Sequence, residues 1–226
     1  MKLTGERPME GQTPDSLLAL HAAGYREVRA RVGSGRMLDL GCGLADGTVG
    51  FAAADRMLIG VDYDQETAAS AVKLHPDVDL RTVCSDGAKL PLRTASFDDV
   101  CSSHLIEHFV DPEFHVAEVA RVLNDDGRAF FLTPNEPADF ENPYHVYLFS
   151  PEDLQAMLGR HFNTVTSWAL MQHQRSRPTL RSGEPWPTNF CGSIPSGSVT
   201  SCRDRPLCGF TQQDVAWPTG LPIPNK

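Results

Sequence analysis

Apolar residues along the chain fall into short runs, separated by stretches in which they recur with a helical period. The runs Arg36–Leu40, Met57–Asp62, Leu80–Cys84, Phe97–Ser102, Arg128–Thr133 and Thr164–Leu170 predict strands. The intervening periodic stretches Thr48–Ala54, Gln65–Leu74, Pro112–Leu123 and Pro151–Leu158 predict helices, and Ser16–Arg31 predicts one ahead of the first strand. Local chemistry marks several of the boundaries. Pro14 disfavours helix just before it, so Asp15 or Ser16 can cap the first helix. Asp111-Pro112 offers a cap followed by proline at the first helical position, and Ser150-Pro151-Glu152-Asp153 adds acids that complement the helix dipole. Asn124-Asp125-Asp126-Gly127 reads as the stop of one helix and the turn into the next strand. Strand and helix in alternation predict an α/β fold, a doubly wound and mostly parallel sheet with helices on both faces.

This pattern covers the middle of the chain only. Residues 1–35 form an N-terminal segment with its helix, residues 36–171 the α/β domain, and residues 172–226 a Pro-, Gly- and Ser-rich tail expected to be irregular or disordered. The 226 residues suit one such domain with extensions, and 41% hydrophobic with 22% charged residues is ordinary for a globular chain. A net charge of −9, with no Lys/Arg cluster, argues against nucleic acid as a partner. The start lacks the apolar run of a secretory signal and no segment has the length of a membrane span, so a cytoplasmic location is expected. Cys42, Cys84 and Cys101 read as small buried hydrophobes. Cys191, Cys202 and Cys208 lack the spacing and companion histidines of a zinc site, so no metal is expected.

Candidate chemistry collects at the predicted strand ends, where open α/β sheets bind their ligands. The first strand runs into Asp39-Leu40-Gly41-Cys42-Gly43-Leu44-Ala45-Asp46, and Asp62 ends the second. Glycines at 41 and 43 permit a tight turn and close approach of a ligand. Two ligands compete at this point. A dinucleotide fingerprint requires glycine at the sixth position, where this chain has Asp46. A pyrophosphate would also meet the carboxylates of Asp39 and Asp46, whereas a sulfonium bearing an ammonium group would be attracted to them. Electrostatics therefore favour S-adenosylmethionine. Asp86, in Cys84-Ser85-Asp86-Gly87, ends the third strand and can accept from an adenine amino group.

Residues 4 to about 170 resemble the small class I S-adenosylmethionine-dependent methyltransferases, the broad group with ubiquinone-biosynthesis and sugar- or lipid-modifying members. The resemblance is carried by Met37–Gly43, Gly60–Asp62, Asp86–Leu92, Ser96–Val100, Leu105–Pro112, Glu118–Leu123 and Leu132–Asn135. Thr4–Pro8, His21 with Tyr25, and Asn142–Val146 resemble a subset whose N-terminal helix closes over the cofactor. The resemblance implies a Rossmann-like sheet ending in an antiparallel hairpin, of which only the first strand, Thr164–Leu170, is evident. It implies that Asp39, Gly41 and Gly43 hold the methionine end of the cofactor. Asp62 would take the ribose hydroxyls with Tyr63 against the adenine, Asp86 and Gly87 would read the adenine edge, and Ser103 with His104 would line the floor. His21 and Tyr25 would cover the cofactor. Ala45 stands where the family usually has a third glycine, and Asn124–Gly127 where it has a Pro-Gly pair.

Methyl transfer is an in-line displacement that depends mostly on positioning. An oxygen acceptor still calls for a base, and His104, His108 and His145 are the candidates, with His104 better suited to contacting the cofactor through its backbone. Glu107 reads as a helix-start carboxylate or an internal hydrogen bonder. The expected function is methyl transfer to a small-molecule acceptor, foremost a hydroxyl of a metabolite, sugar or lipid. The alternatives are a non-catalytic cofactor-binding protein without an acceptor site and an NAD-dependent oxidoreductase.

Overall fold

The computed structural model describes residues 13, 15–135 and 144–170. The tail 172–226, the opening Thr4–Pro8 and part of the Asn142–Val146 segment fall outside the described residues. Five strands form one sheet: β1 (Gly35–Leu40), β2 (Arg56–Asp62), β3 (Leu80–Cys84), β4 (Phe97–Ser103) and β5 (Leu123–Leu132). Their order is β3-β2-β1-β4-β5, and all four pairings are parallel. The helices are α1 (Asp15–Arg29), α2 (Gln65–Leu74), α3 (Pro112–Val122) and α4 (Pro151–Leu158). The chain builds outward from β1 through β2 and β3, then returns to add β4 and β5 on the other side. The reversal leaves a crevice between the carboxyl ends of β1 and β4, where a ligand is most easily admitted.

Alternation along the strands distributes side chains to two cores. Leu38, Leu40, Val100 and Phe131 pack with Val116 and Val119 of α3 and Leu154 and Leu158 of α4. Met37, Leu58, Cys101, Phe130 and Leu132 face the other way, against Val28 of α1 and Ala71 of α2. The sheet is thus covered on both sides, as the sequence predicts. Phe130 and Phe131 are both fully buried, one in each layer, and each contributes about 1.5–3 kcal/mol of transfer free energy. The helix starts follow the capping chemistry. Asp111 accepts from Glu113 N at 3.1 Å ahead of Pro112, and the Ser150 hydroxyl accepts from Asp153 N at 3.1 Å ahead of Pro151. Asp64 caps α2 by accepting from Thr67 N at 2.8 Å.

Five expectations need correction. The helix at 48–54 is a 3-10 turn, Thr48–Phe51: Thr48 and Phe51 are buried, Gly47 and Gly50 weaken helix propagation, and Ala52 turns extended. The first helix runs from Asp15 and ends at Arg29, with Arg31 N tightening onto Val28 O at 2.8 Å. Asn124–Gly127 is no turn between elements. β5 starts at Leu123 directly after α3 and absorbs these residues as an irregularity, the register stepping from Phe97↔Leu123 to Asp99↔Arg128. Thr164–Leu170 is not a strand, since no ladder reaches it among the described residues; Trp168 instead lies beneath the Arg31 guanidinium, 4.9 Å away. Cys84 is exposed, unlike the buried Cys42 and Cys101.

Candidate cofactor and acceptor site

The turn after β1 is held open by three left-handed residues, Gly41 (φ +74°), Gly43 (φ +56°) and Ala45 (φ +69°). A Cβ on Gly41 would come within 3.2 Å of the Leu105 side chain, whereas one on Gly43 would meet nothing within 4 Å. The loop therefore presents bare backbone to free space at Gly43 and to a neighbouring wall at Gly41. Its amides are anchored to β2: Gly41 N and Cys42 N donate to Val61 O at 2.8 and 3.0 Å, and Gly43 N donates to Asp62 Oδ2 at 3.1 Å. Asp62 Oδ1 accepts from Asp64 N at 2.9 Å. The Asp62 carboxylate thus joins the glycine turn to the start of α2 while facing the crevice. His75, beyond α2, donates from Nε2 to Leu44 O at 3.0 Å and braces the far side of the turn.

The crevice is a cavity of about 630 Å³, within the usual size range of small-molecule sites. Gly41, Gly43, Asp62, Tyr63, Asp86, Gly87, His104 and His108 all line it, so eight of the thirteen residues singled out in the sequence share one wall. Asp86 Oδ1 accepts from Ala88 N at 2.8 Å, which fixes its turn while the residue borders the cavity. Tyr63 stands 58% exposed at the rim. His104 takes φ +50° at the end of β4, a left-handed conformation rarely adopted by a residue with a Cβ.

The other five candidates are not among the lining residues. Asp39 is fully buried behind the glycine turn, where it accepts from Thr48 Oγ1 at 2.5 Å and from Tyr25 Oη at 3.1 Å. Burial pushes its carboxyl up to about 7, against the opposing bonds from Thr48, Tyr25 and Cys101. Burial, and then the Asp39 charge, raises the Tyr25 hydroxyl well above its ordinary value. Tyr25 packs its ring against Gly47, and His21 stacks on His104 with ring centroids 4.0 Å apart. Both residues of α1 therefore brace the back of the β1 and β4 loops. Ser103 is buried at the end of β4 with its hydroxyl lacking a hydrogen-bond partner among the described residues. His145 lies behind His108, ring centroids 4.9 Å apart and nearly perpendicular.

Two further residues shape the site, His115, which sequence reasoning passed over, and Glu107, which it read as a helix-start carboxylate or an internal hydrogen bonder. His115, on α3, is fully buried; Nδ1 reaches Gly87 O at 2.9 Å and Nε2 reaches Ser102 Oγ at 2.9 Å. A carbonyl only accepts, so Nδ1 carries the proton and Nε2 accepts from the serine. Burial lowers this histidine to about 4, so it is neutral at physiological pH and holds the Gly87 turn against β4. The only signal in the sequence was a histidine at a core position of an amphipathic helix. Glu107 is the second. It is fully buried, Oε2 accepts from Thr133 Oγ1 at 3.0 Å, and Oε1 lies 3.6 Å from His104 Nδ1. Burial opposes its ionisation, but the adjoining His104 imidazole prevails and holds the carboxyl below its ordinary value.

A five-stranded parallel sheet reversing at β1/β4, with a glycine turn and acids at successive strand ends around one cavity, is a Rossmann-like architecture shared with solved methyltransferase structures. Residues 38–131 match the family model described as a methyltransferase domain. The chain is 32% identical over 165 residues to a probable S-adenosylmethionine-dependent methyltransferase of Mycolicibacterium smegmatis, an alignment covering 70% of this chain and 63% of that protein. It is 34% identical over 116 residues to the demethylmenaquinone methyltransferase of Corynebacterium glutamicum, covering 50% of this chain and 48% of the relative. The crystal structure of the YcgJ protein of Bacillus subtilis superimposes with a TM-score of 0.56 at 24% identity, covering 67% of this chain and 70% of that one. The chain thus spans from about half to somewhat under two thirds of the length of these curated relatives. Among the described residues, no helix is long and apolar enough to cross a membrane.

Proposed function

We propose that the protein binds S-adenosylmethionine in the β1/β4 crevice and transfers its methyl group to an oxygen of a small-molecule acceptor. The carrying observation is the convergence of the Gly41–Gly43 backbone, the Asp62 carboxylate and the Ser85–Gly87 turn on one cavity. These groups suit the three parts of the cofactor. The backbone at Gly43 would meet the methionine end, Asp62 with its remaining lone pairs the ribose hydroxyls, and Tyr63, Asp86 and Gly87 the adenine. Asp39 would act from behind, placing negative potential under the turn when ionised, while Tyr25 and Thr48 hold it in place. When bound, the cofactor supplies an electrophilic methyl group.

An oxygen acceptor is supported by the base chemistry at the rim. His108 borders the cavity and contacts His145 and the Tyr144 carbonyl behind it, so an acceptor hydroxyl entering there would meet an imidazole rather than an apolar wall. Against a dinucleotide, Asp46 is 80% exposed at the loop where a pyrophosphate would need to approach. Calorimetric titration with S-adenosylhomocysteine should show binding at one site, with NAD silent. Transfer of a labelled methyl group to a panel of hydroxylated metabolites, sugars and lipid head groups should then find an acceptor. Binding of NAD alone would end the reading. Cofactor binding with no turnover on any acceptor would leave a binding protein.

A further inference from the structure

Behind the rim of the crevice the fold brings together three side chains from two segments. Glu107 and His108 follow β4, His145 follows β5, and one ligand-type atom from each lies within 4.8 Å of the others. Backbone bonds stitch the two segments together. Val146 N and Tyr147 N both donate to Glu107 O, at 2.9 and 3.0 Å. The cluster is therefore built by the fold and not assembled from freely moving surface chains. A second observation points to a missing ligand: Glu107 is fully buried, and its Oε1 makes no direct hydrogen bond among the described residues, with His104 Nδ1 standing off at 3.6 Å. That oxygen faces His145 Nε2 at 4.0 Å. A buried carboxylate oxygen without a direct hydrogen bond is costly, and a cation drawn into the cluster would complete it.

The third donor is already oriented. His108 Nδ1 lies 2.9 Å from Tyr144 O, and a carbonyl can only accept, so the proton sits on Nδ1 and the Nε2 lone pair is available. A histidine fixed through its other nitrogen by a backbone carbonyl is the usual support of a metal ligand. We propose that Glu107, His108 and His145 bind a divalent transition-metal ion, with zinc as the first choice, which takes an oxygen of the acceptor as a further ligand. Two imidazoles with one carboxylate select zinc-like ions over magnesium, which prefers oxygen alone. Donors about 2.0–2.2 Å from such an ion require the cluster to close by roughly an ångström, within reach of side-chain rotation. Two neutral imidazoles and one carboxylate leave the ion with a net positive charge, which a hydroxyl oxygen would neutralise once its proton has passed to solvent. His108 also lines the cofactor cavity, so an oxygen held there lies beside the methyl donor's site. The role toward the acceptor rests on the function proposed above; the metal site itself does not.

The test is zinc titration of the full chain after chelator treatment, read by calorimetry, with cobalt substitution read by absorption spectroscopy. One equivalent should bind, and Glu107→Gln, His108→Ala and His145→Ala should each weaken it by about tenfold to a hundredfold or more. Bound cobalt should show ligand-field bands without thiolate charge transfer, which separates this cluster from the six cysteines. Circular dichroism identifies any variant that has failed to fold, and the two histidine variants keep the question open to test should Glu107→Gln be one. No stoichiometric binding, equal binding in folded variants, or a thiolate spectrum would each overturn the site. S-adenosylhomocysteine binding measured on the same samples tests the methyltransferase reading separately.

Discussion

At the scale of single residues, the site depends on which backbone conformations are affordable. Ala45 carries φ +69° where the related family usually has glycine, and it is fully buried. Left-handed backbone costs a residue with a Cβ about 1–2 kcal/mol, partly offset here by burial of the methyl group. Ala45→Gly should therefore leave stability unchanged or raise it by up to about 1 kcal/mol, read from urea denaturation. Gly41→Ala should do the opposite, since it adds left-handed strain to a 3.2 Å contact with Leu105. A loss under about 1 kcal/mol would contradict the geometry. Asp62 serves both the loop and the proposed ribose site. Asp62→Ala should weaken S-adenosylhomocysteine binding by about tenfold or more, since bonds to a charged group are lost. Unchanged affinity would remove Asp62 from the ribose.

At the scale of elements, α1 proves to be a brace. Its Tyr25 hydroxyl ties the helix to the Asp39 carboxyl at 3.1 Å, and its ring fills the space beside Gly47. Tyr25→Phe keeps the ring and removes one bond to a buried acid, so it should cost about 1–2 kcal/mol of stability. The S-adenosylhomocysteine affinity should fall only modestly. A variant as stable as the parent would show that the Tyr25–Asp39 bond contributes nothing net. The elements themselves were largely legible, because Asp111-Pro112 and Ser150-Pro151 announce their helices by local chemistry. The exceptions were decided by partners distant in sequence. Thr48 is drawn to Asp39, Asn124–Gly127 is absorbed into pairing with β4, and Thr164–Leu170 gains no strand partner among the described residues.

At the scale of the whole molecule, two buried groups oppose each other in their response to pH. Asp39 keeps its proton in the folded state up to about 7 but loses it above 3.8 when unfolded, so its contribution falls as pH rises through that window. His115 is the reverse: the unfolded chain takes up a proton below 6.5 and the folded one only near 4, so its contribution is lost as pH drops. Each term is worth about 1.4 kcal/mol per pH unit, and over the shared range they largely cancel. Asp39→Asn should therefore gain stability relative to the parent as pH rises from about 4 to 7, and His115→Gln should lose it over 4 to 6.5. Denaturant midpoints across pH would check both, and parallel curves for parent and variants would refute the assignments.

The sequence by itself determined the α/β class, four of the helices, the five parallel strands and part of the crevice lining, because periodicity, capping and the order of strand-end acids are local signals. Eight of the thirteen candidates, named partly from those signals and partly from the family resemblance, line one cavity. What the tertiary structure alone decided is which groups lie behind that wall. Asp39 is sealed under the turn by Tyr25 and Thr48, His115 locks the Gly87 loop, and Glu107 meets His108 and His145 across two segments. Those contacts join residues far apart along the chain, and burial, which shifts their charges, exists only once both layers have closed on the sheet.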